Sequence, residues 1–402
     1  MDDKMRLYFA PCGIGLGHAG RCIAIANMFK NNAKILFSSY NEAVNYIRRE
    51  NFDVEKVPEI YFYEKIDGTF DLKRSLSAGP KIIINFLRQI GAEIHLMEHF
   101  KPNVVISDSR LSSIIAARTM GFKSILILHQ LRIMIPHIKP IDKKIKQKIK
   151  DHAERFILET LGSLWNLSDM ILVPDFPPPF TIAKYNVVPS NRYLNKLKLI
   201  GPIIPKYPWE LPPKDEIRKE LREKLGIDDS PLIFIAMSGT LTEKKYITEK
   251  LIKILQDFPQ TYNVVLSRGI TDNNNVNRIS KINEKIIICD WVDDRYKLLK
   301  ACDLLITRGG HNTVSEAIYY GKPMIIIPTP AHSEHQGIAK SAVNMKIAKC
   351  IQQYNLSKEN LLSSINEILN SSGALLRVKE LENFASKFNA LKTIYEIINK
   401  TI

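Results

Sequence analysis

The sequence predicts an α/β protein built from two doubly wound, Rossmann-like domains facing a cleft. Three observations carry this reading. Short apolar runs alternate with helical patterns in both halves, a proline-rich stretch near Gly201 separates the halves, and 402 residues exceed what one ordinary core accommodates.

Arg6–Ala10 reads as a first strand, and Ala19–Phe29 follows as a helix with Cys22, Ile23, Ala26 and Phe29 on one stripe. Lys34–Ser38 is a second strand and Glu42–Glu50 a second helix. Asn103–Ser107 and Ser124–Leu128 are compact apolar runs around the helical stretch Ser112–Met120. Gly201-Pro202-Ile203-Ile204-Pro205, then Pro208, Pro212 and Pro213, suits neither a helix interior nor a central strand and reads as a linker. The expected domains are therefore 1–205 and 206–402. The second series comprises Leu232–Met237, Glu249–Asp257, Asn263–Leu266, Lys285–Cys289, Asp294–Ala301, Leu304–Thr307, Thr313–Tyr320 and Met324–Ile327. Open parallel sheets bind ligands beyond the carboxyl ends of their strands, so loops of both domains should present to the cleft.

Composition narrows the class. The formal net charge of +15 suits either a lysine-rich solvated surface or anionic partners such as phosphorylated substrates or acidic lipid. No zinc finger, RNP-type aromatic motif or long Arg-rich arm supports nucleic acid as a partner. No run of ~18 apolar residues offers a membrane span. The acidic start, Met-Asp-Asp-Lys, and the short run Leu7–Ala10 do not make a signal peptide. Five dispersed cysteines without a C-x-x-C pair read as reduced thiols, so a cytoplasmic location is expected.

The first strand runs into Pro11-Cys12-Gly13-Ile14-Gly15-Leu16-Gly17-His18-Ala19-Gly20. Gly15-x-Gly17-x-x-Gly20 fits a dinucleotide fingerprint, but the second strand ends Ser38-Ser39-Tyr40-Asn41, without the acid such a site uses on a ribose. A dehydrogenase is thereby disfavoured. His18 stands at a helix start, where the positive end of the dipole disfavours an imidazolium. It can cap the turn or accept a proton from a substrate. Asp108, at the end of Asn103-Val-Val-Ile-Ser-Asp, can cap the helix near Ser112 or orient His18. His129-Gln130 ends another apolar run and is a weaker candidate for the acceptor side.

Leu304–Gln336 is the most informative stretch. A strand ends in Arg308-Gly309-Gly310-His311-Asn312-Thr313 and opens a helix through Glu316; Gly321-Lys-Pro323, Pro328 and Glu334-His335-Gln336 follow. Backbone N–H groups at such a helix start make an anion site, and Arg308 adds a charge suited to a diphosphate. Asn312 and Thr313 can donate to phosphate, and Glu316 can accept ribose hydroxyls. Thr313-x-x-Glu316 is also a capping box, which would explain those two residues without a ligand.

This block resembles the nucleotide-sugar signature of GT-B glycosyltransferases, especially the MurG-like and UDP-glycosyltransferase families. The Gly15-x-Gly17-His18 loop resembles their first glycine loop, Ser238-Gly239-Thr240 their second, and Asp290-Trp291-Val292-Asp293-Asp294 the segment that holds uracil. The resemblance implies His18 as general base with Asp108 its partner, and diphosphate contacts from Arg308, Gly309, Gly310, Asn312 and Thr313. It further implies Glu316 on the ribose, Trp291 and Val292 on the base, and Glu334, His335 and Gln336 on the donor sugar. The final helix would pack back on the amino-terminal domain. Departures are Arg21 where many relatives carry proline, Glu334-His335 in place of an acid directly before the glutamine, and Ala339-Lys340 for the usual Asn-Ala.

The expected reaction is inverting transfer of a hexose or N-acetylhexosamine from a nucleotide sugar, UDP-linked, to an acceptor hydroxyl on a lipid-linked or cell-envelope glycan. No cofactor and no metal are expected, the positive field being supplied by protein groups and no Asp-x-Asp being present. The rivals are a non-hydrolysing sugar-nucleotide epimerase of the same fold and a non-catalytic nucleotide-sugar-binding protein. Pro136–Lys150 places Ile138, Ile141, Ile145 and Ile149 at helical spacing with lysines between. It reads as a solvated helix packing its isoleucines inward, or as a segment lying peripherally on an anionic membrane.

Overall fold

A computed structural model describes residues 4–60, 63, 65–67, 69, 74, 77, 79–132, 134, 144–270, 278–292 and 294–402. The chain divides into two compact units. Unit 1 comprises Met1–Tyr63, Phe70–Pro205 and Phe388–Ile402; unit 2 comprises Glu64–Thr69 and Lys206–Lys387.

Unit 1 holds β1 (Met5–Pro11), β2 (Ala33–Ser39), β3 (Val54–Lys56), β4 (Val104–Asp108), β5 (Lys123–Ile127), β6 (Met170–Val173) and β7 (Leu197–Leu199). They form one parallel sheet in the order β3-β2-β1-β4-β5-β6-β7. Its helices are α1 (Gly17–Asn27), α2 (Glu42–Arg49), α3 (Gly79–Phe100), α4 (Leu111–Met120) and α5 (Lys144–Trp165). Central strands covered on both faces read as unbroken apolar runs rather than alternating ones. Leu7, Phe9, Val104 and Ile106 accordingly bury completely against Ala19, Cys22 and Ala26 of α1.

Unit 2 repeats the plan. Its strands are β8 (Leu232–Ala236), β9 (Asn263–Ser267), β10 (Ile279–Asn283), β11 (Ile286–Cys289), β12 (Leu304–Thr307), β13 (Met324–Ile326) and β14 (Ala348–Cys350). The order is β10-β11-β9-β8-β12-β13-β14, with β10 antiparallel to β11 and the other pairs parallel. Helices α6 (Lys214–Leu225), α7 (Leu241–Leu255), α8 (Arg295–Ala301), α9 (His311–Tyr319), α10 (Ser333–Asn344), α11 (Lys358–Leu369) and α12 (Ser372–Ala385) cover it. The last helix, α13 (Ala390–Thr401), belongs to unit 1, where Ile394 and Ile398 join the core around α1 and Tyr395 stacks on Phe29 with ring centroids 4.9 Å apart. Its apolar stripe recurs at i and i+4, the spacing that turns one helix face inward.

Each sheet has one place where the strand order reverses: between β1 and β4 in unit 1, and between β8 and β12 in unit 2. Connections leave such a pair on opposite faces, which opens a crevice at the carboxyl ends of the two strands.

Candidate active site

In unit 1, His18 and Asp108 stand at the reversal. The chain leaves β1 through a turn tied to β4 by the Cys12 N–H donating to the Asp108 carbonyl at 2.9 Å. Gly15 sits at φ +70, where a side chain is strained, and α1 opens at Gly17 with no side-chain cap. His18, second in the helix, is partly exposed, and its Nδ1 lies 2.7 Å from Asp108 Oδ1. Asp108 does not cap the following helix, whose N-cap is Arg110 without a side-chain cap bond. Of the two roles open to Asp108, the geometry supports the one that orients His18.

Arg21 completes the group. Fully buried one turn beyond His18, it donates from Nε to Asp108 Oδ2 at 2.7 Å and from a terminal nitrogen to Oδ1 at 2.8 Å. The same nitrogen is 2.9 Å from His18 Nδ1 and 3.3 Å from His129 Nδ1. Burial alone would raise the Asp108 carboxyl, but the Arg21 charge and the hydrogen bonds from Arg21 and His18 outweigh it and hold the group well below the usual carboxylate range. Asp108 is therefore ionised, and a carboxylate only accepts. With Nδ1 of His18 donating to it, the lone pair sits on Nε2, and that nitrogen can accept a proton. Ser109, directly after Asp108, takes φ +56, a left-handed conformation that costs a non-glycine residue about 1–3 kcal/mol and is held by the Ser109 N–H to Ile127 carbonyl bond at 3.0 Å. Sequence reasoning noted Arg21 only as a departure. The signal was present, because a charged residue among Ala19, Cys22 and Ile23 on a buried stripe needs a buried partner.

In unit 2, two glycine turns meet at the reversal. β8 ends in Ser238-Gly239 and β12 in Gly309-Gly310, with Gly239 at φ +117 and Gly309 at φ +85. A Cβ on Gly309 would approach Ile326 Cγ2 to 2.8 Å, one on Gly239 would collide with Glu243 Oε2, and one on Gly310 would crowd Ser238 Oγ at 3.1 Å. Glycine is what lets the two turns approach. Helix α9 starts at His311 with Gly310 as an N-cap that offers no side chain. Thr313 and Glu316 therefore lie inside the helix and form no capping box, and the first-turn N–H groups have no intrahelical acceptor. Ser238 Oγ, Thr307 Oγ1 and Arg308 Nε are buried at these strand ends without a hydrogen-bond partner among the described residues. Unsatisfied buried groups in such a place call for an explanation.

Other expected contacts are placed differently. Thr240 does form a capping box: its hydroxyl accepts from the Glu243 N–H at 3.3 Å and its own N–H donates to Glu243 Oε2 at 2.8 Å. Arg308 is fully buried behind its turn, donating to Gln353 Oε1 and Thr329 Oγ1 at 2.6 Å each and to the Ile327 carbonyl at 3.2 Å. Burial lowers its guanidinium to about 10. Thr329 Oγ1 in turn donates to Glu243 Oε1 at 2.8 Å and lies 3.0 Å from His335 Nδ1. Thr329 has spent its one proton, so Nδ1 of His335 must donate to it. His335 is thus buried toward the sheet end, held neutral by burial and by neighbouring His332, on which it stacks at 4.0 Å. Gln336 exchanges amide bonds of 3.1 Å with Gln352.

Glu316, also buried, receives the Arg295 guanidinium on both carboxylate oxygens and the Tyr296 hydroxyl at 3.1 Å. Burial raises its carboxyl, with Arg295 and Tyr296 acting against the rise. Asn312, Trp291, Val292 and Glu334 are half-buried; Asp293 and residues 136–143 lie outside the described residues.

Residues 237–394 match the glycosyltransferase family 28 C-terminal domain. An uncharacterized glycosyltransferase of Methanosarcina acetivorans is 25% identical over 99% of this chain and 99% of its own. A Caldicellulosiruptor saccharolyticus protein is 22% identical over 99% of this chain and 98% of its own. It is the UDP-N-acetylglucosamine–N-acetylmuramyl-(pentapeptide) pyrophosphoryl-undecaprenol N-acetylglucosamine transferase. Among solved structures, the glycotransferase of kitacinnamycin superposes with a TM-score of 0.67 at 15% identity, covering 100% of both chains. Two parallel-rich α/β units with these likenesses define a glycosyltransferase enzyme of GT-B architecture. Residues 237–394 resemble the family 28 carboxyl-terminal domain, and the chain resembles the MurG-like and UDP-glycosyltransferase groups within that architecture.

Proposed function

We propose that the protein transfers a hexose or N-acetylhexosamine from a UDP-sugar to the hydroxyl of a lipid-linked acceptor, with inversion and without a catalytic metal. The observation that carries this reading is the unit 2 reversal point. Two glycine turns and a helix start without a side-chain cap surround buried polar groups that have no partner among the described residues. A diphosphate satisfies such donors, and the dipole of α9 favours its charge. Arg308 acts from behind, fixing the turn and adding field rather than touching phosphate. Ser238, Gly239, Gly309, Gly310, Asn312 and Thr313 line the diphosphate, with Thr240 capping the neighbouring helix. Glu316 accepts the ribose hydroxyls when Arg295 yields them, Trp291 and Val292 face the base, and Glu334 meets the sugar beside the buried His335 and Gln336.

Unit 1 supplies the base. His18 Nε2 takes the acceptor proton as the hydroxyl oxygen bonds to the anomeric carbon and the carbon–phosphate-oxygen bond breaks on the opposite side. Asp108 balances the imidazolium that forms. Charge gathering on the departing diphosphate is met by the start of α9.

The lipid-linked acceptor is supported by the undecaprenol-linked substrate in the name of the Caldicellulosiruptor relative. It is supported also by exposed Ile145, Ile149 and Phe156 on α5, interleaved with Lys146, Lys148 and Lys150. Apolar and basic residues together suit an anionic lipid surface, and no helix among the described residues is long and apolar enough to cross a membrane. The peripheral, cytoplasmic-face location rests on the same features. A thermal-shift panel of UDP, GDP, dTDP, NAD and their sugars tests the donor. Stabilisation by UDP and its sugars is expected; stabilisation by NAD alone contradicts the reading, and epimer formed from donor alone would make the protein an epimerase.

A further inference from the structure

At its carboxyl end, α3 carries His95, Glu98 and His99, all exposed and all on one helix face by their i, i+3, i+4 spacing. One ligand atom from each lies within 4.8 Å of the others. The imidazole centroids are 4.3 Å apart with their planes tilted 56°. His99 Nδ1 is 2.8 Å from the His95 carbonyl oxygen. A carbonyl only accepts, so Nδ1 carries the proton and Nε2 keeps its lone pair. Metal-ligating histidines are oriented in this manner, one ring nitrogen donating to a carbonyl while the other binds. Glu98 has no ion-pair partner among the described residues, although it stands in the last helical turn, where the dipole disfavours a negative charge.

We propose that His95, Glu98 and His99 form a surface site for a divalent transition metal, with zinc the natural occupant. Two imidazoles and one carboxylate are a zinc donor set, whereas magnesium takes oxygen ligands in octahedral geometry. Three protein ligands leave a further position for water or for a group from another molecule. The site uses none of the residues assigned to sugar transfer, so its metal has no part in that chemistry.

Calorimetric titration of the full chain with zinc chloride, after removal of bound metal by chelator, tests the site. The wild type should bind one zinc more than the His95→Ala/His99→Ala double variant, and Glu98→Gln should weaken that event about tenfold. Magnesium chloride should give no saturable binding there. All three positions are exposed, so an unchanged circular dichroism spectrum and melting temperature will show that the variants fold. Equal zinc stoichiometry and affinity in wild type and double variant would overturn the assignment, as would the absence of saturable zinc binding to the wild type.

Discussion

His18 Nδ1 and Asp108 Oδ1 lie 2.7 Å apart at the point where the strand order of unit 1 reverses, and Arg21 holds the other carboxylate oxygen at 2.7 Å. One buried carboxylate thus serves a histidine and an arginine at once. It orients the imidazole, while Arg21 keeps the carboxylate ionised inside the protein.

Asp108→Asn should lower transfer by about a hundredfold or more, since the amide can neither hold the tautomer nor balance an imidazolium. It also leaves Arg21 as an uncompensated buried charge, a loss of about 3–5 kcal/mol by denaturant titration. The Asp108 carboxyl is depressed on folding, so its stabilisation is present above the unfolded value of about 3.9 and is lost as pH falls below it. Acid melts of the wild type should show this loss, and those of Asp108→Asn should lack it.

Arg21→Met tests the arginine separately. Without that charge, the Asp108 carboxylate loses the partner that fixes its second oxygen and with it the orientation of His18. Transfer should fall while UDP affinity stays unchanged, and transfer at the wild-type rate would show that Arg21 serves packing only.

Much of this was legible in the sequence, for a physical reason. Leu304–Thr307 and Leu232–Ala236 are central strands buried on both faces, so their apolar runs stand out. Edge elements were missed: Val54–Lys56 and Ala348–Cys350 are three residues each, and β10 alternates too weakly at the sheet margin. The first turns of α7 were missed because Thr240 and Glu243 form a capping box within a polar stretch that carries no apolar stripe. The places of His18, Asp108 and the glycine turns are legible because they follow from strand ends. Whether Arg308 faces a ligand or the interior depends on Thr329 and Gln353, which lie 21 and 45 residues away and which no local pattern links to it.

Glu316→Gln should raise the UDP dissociation constant about tenfold by calorimetry, the cost of exchanging a charged acceptor for a neutral one. In Arg295→Ala, Tyr296 alone opposes the rise that burial imposes on Glu316, and the carboxyl moves further up. UDP affinity should then fall as pH drops towards the raised carboxyl, and it should do so from a higher pH than in the wild type.

Gly309→Ala places a methyl group 2.8 Å from Ile326 Cγ2 in a left-handed backbone. A stability loss of about 1–3 kcal/mol is expected by thermal melting, together with weaker UDP binding. Gly373, in α12 and with nothing within 4 Å of its Cβ position, serves as the control; Gly373→Ala should leave UDP binding unchanged and should not lower the melting temperature.

Flotation with liposomes tests the acceptor side. Wild-type protein should float with vesicles containing anionic lipid and stay down with neutral ones. Replacing Ile145, Ile149 and Phe156 together by serine should abolish the difference.

The most direct test of the account is His18→Ala, measured both for sugar transfer from UDP-sugar and for UDP binding. Transfer should fall by about 10²–10⁴-fold while the UDP dissociation constant stays within experimental error of wild type. Turnover at the wild-type rate would contradict the central claim that His18, oriented by Asp108, removes the acceptor proton.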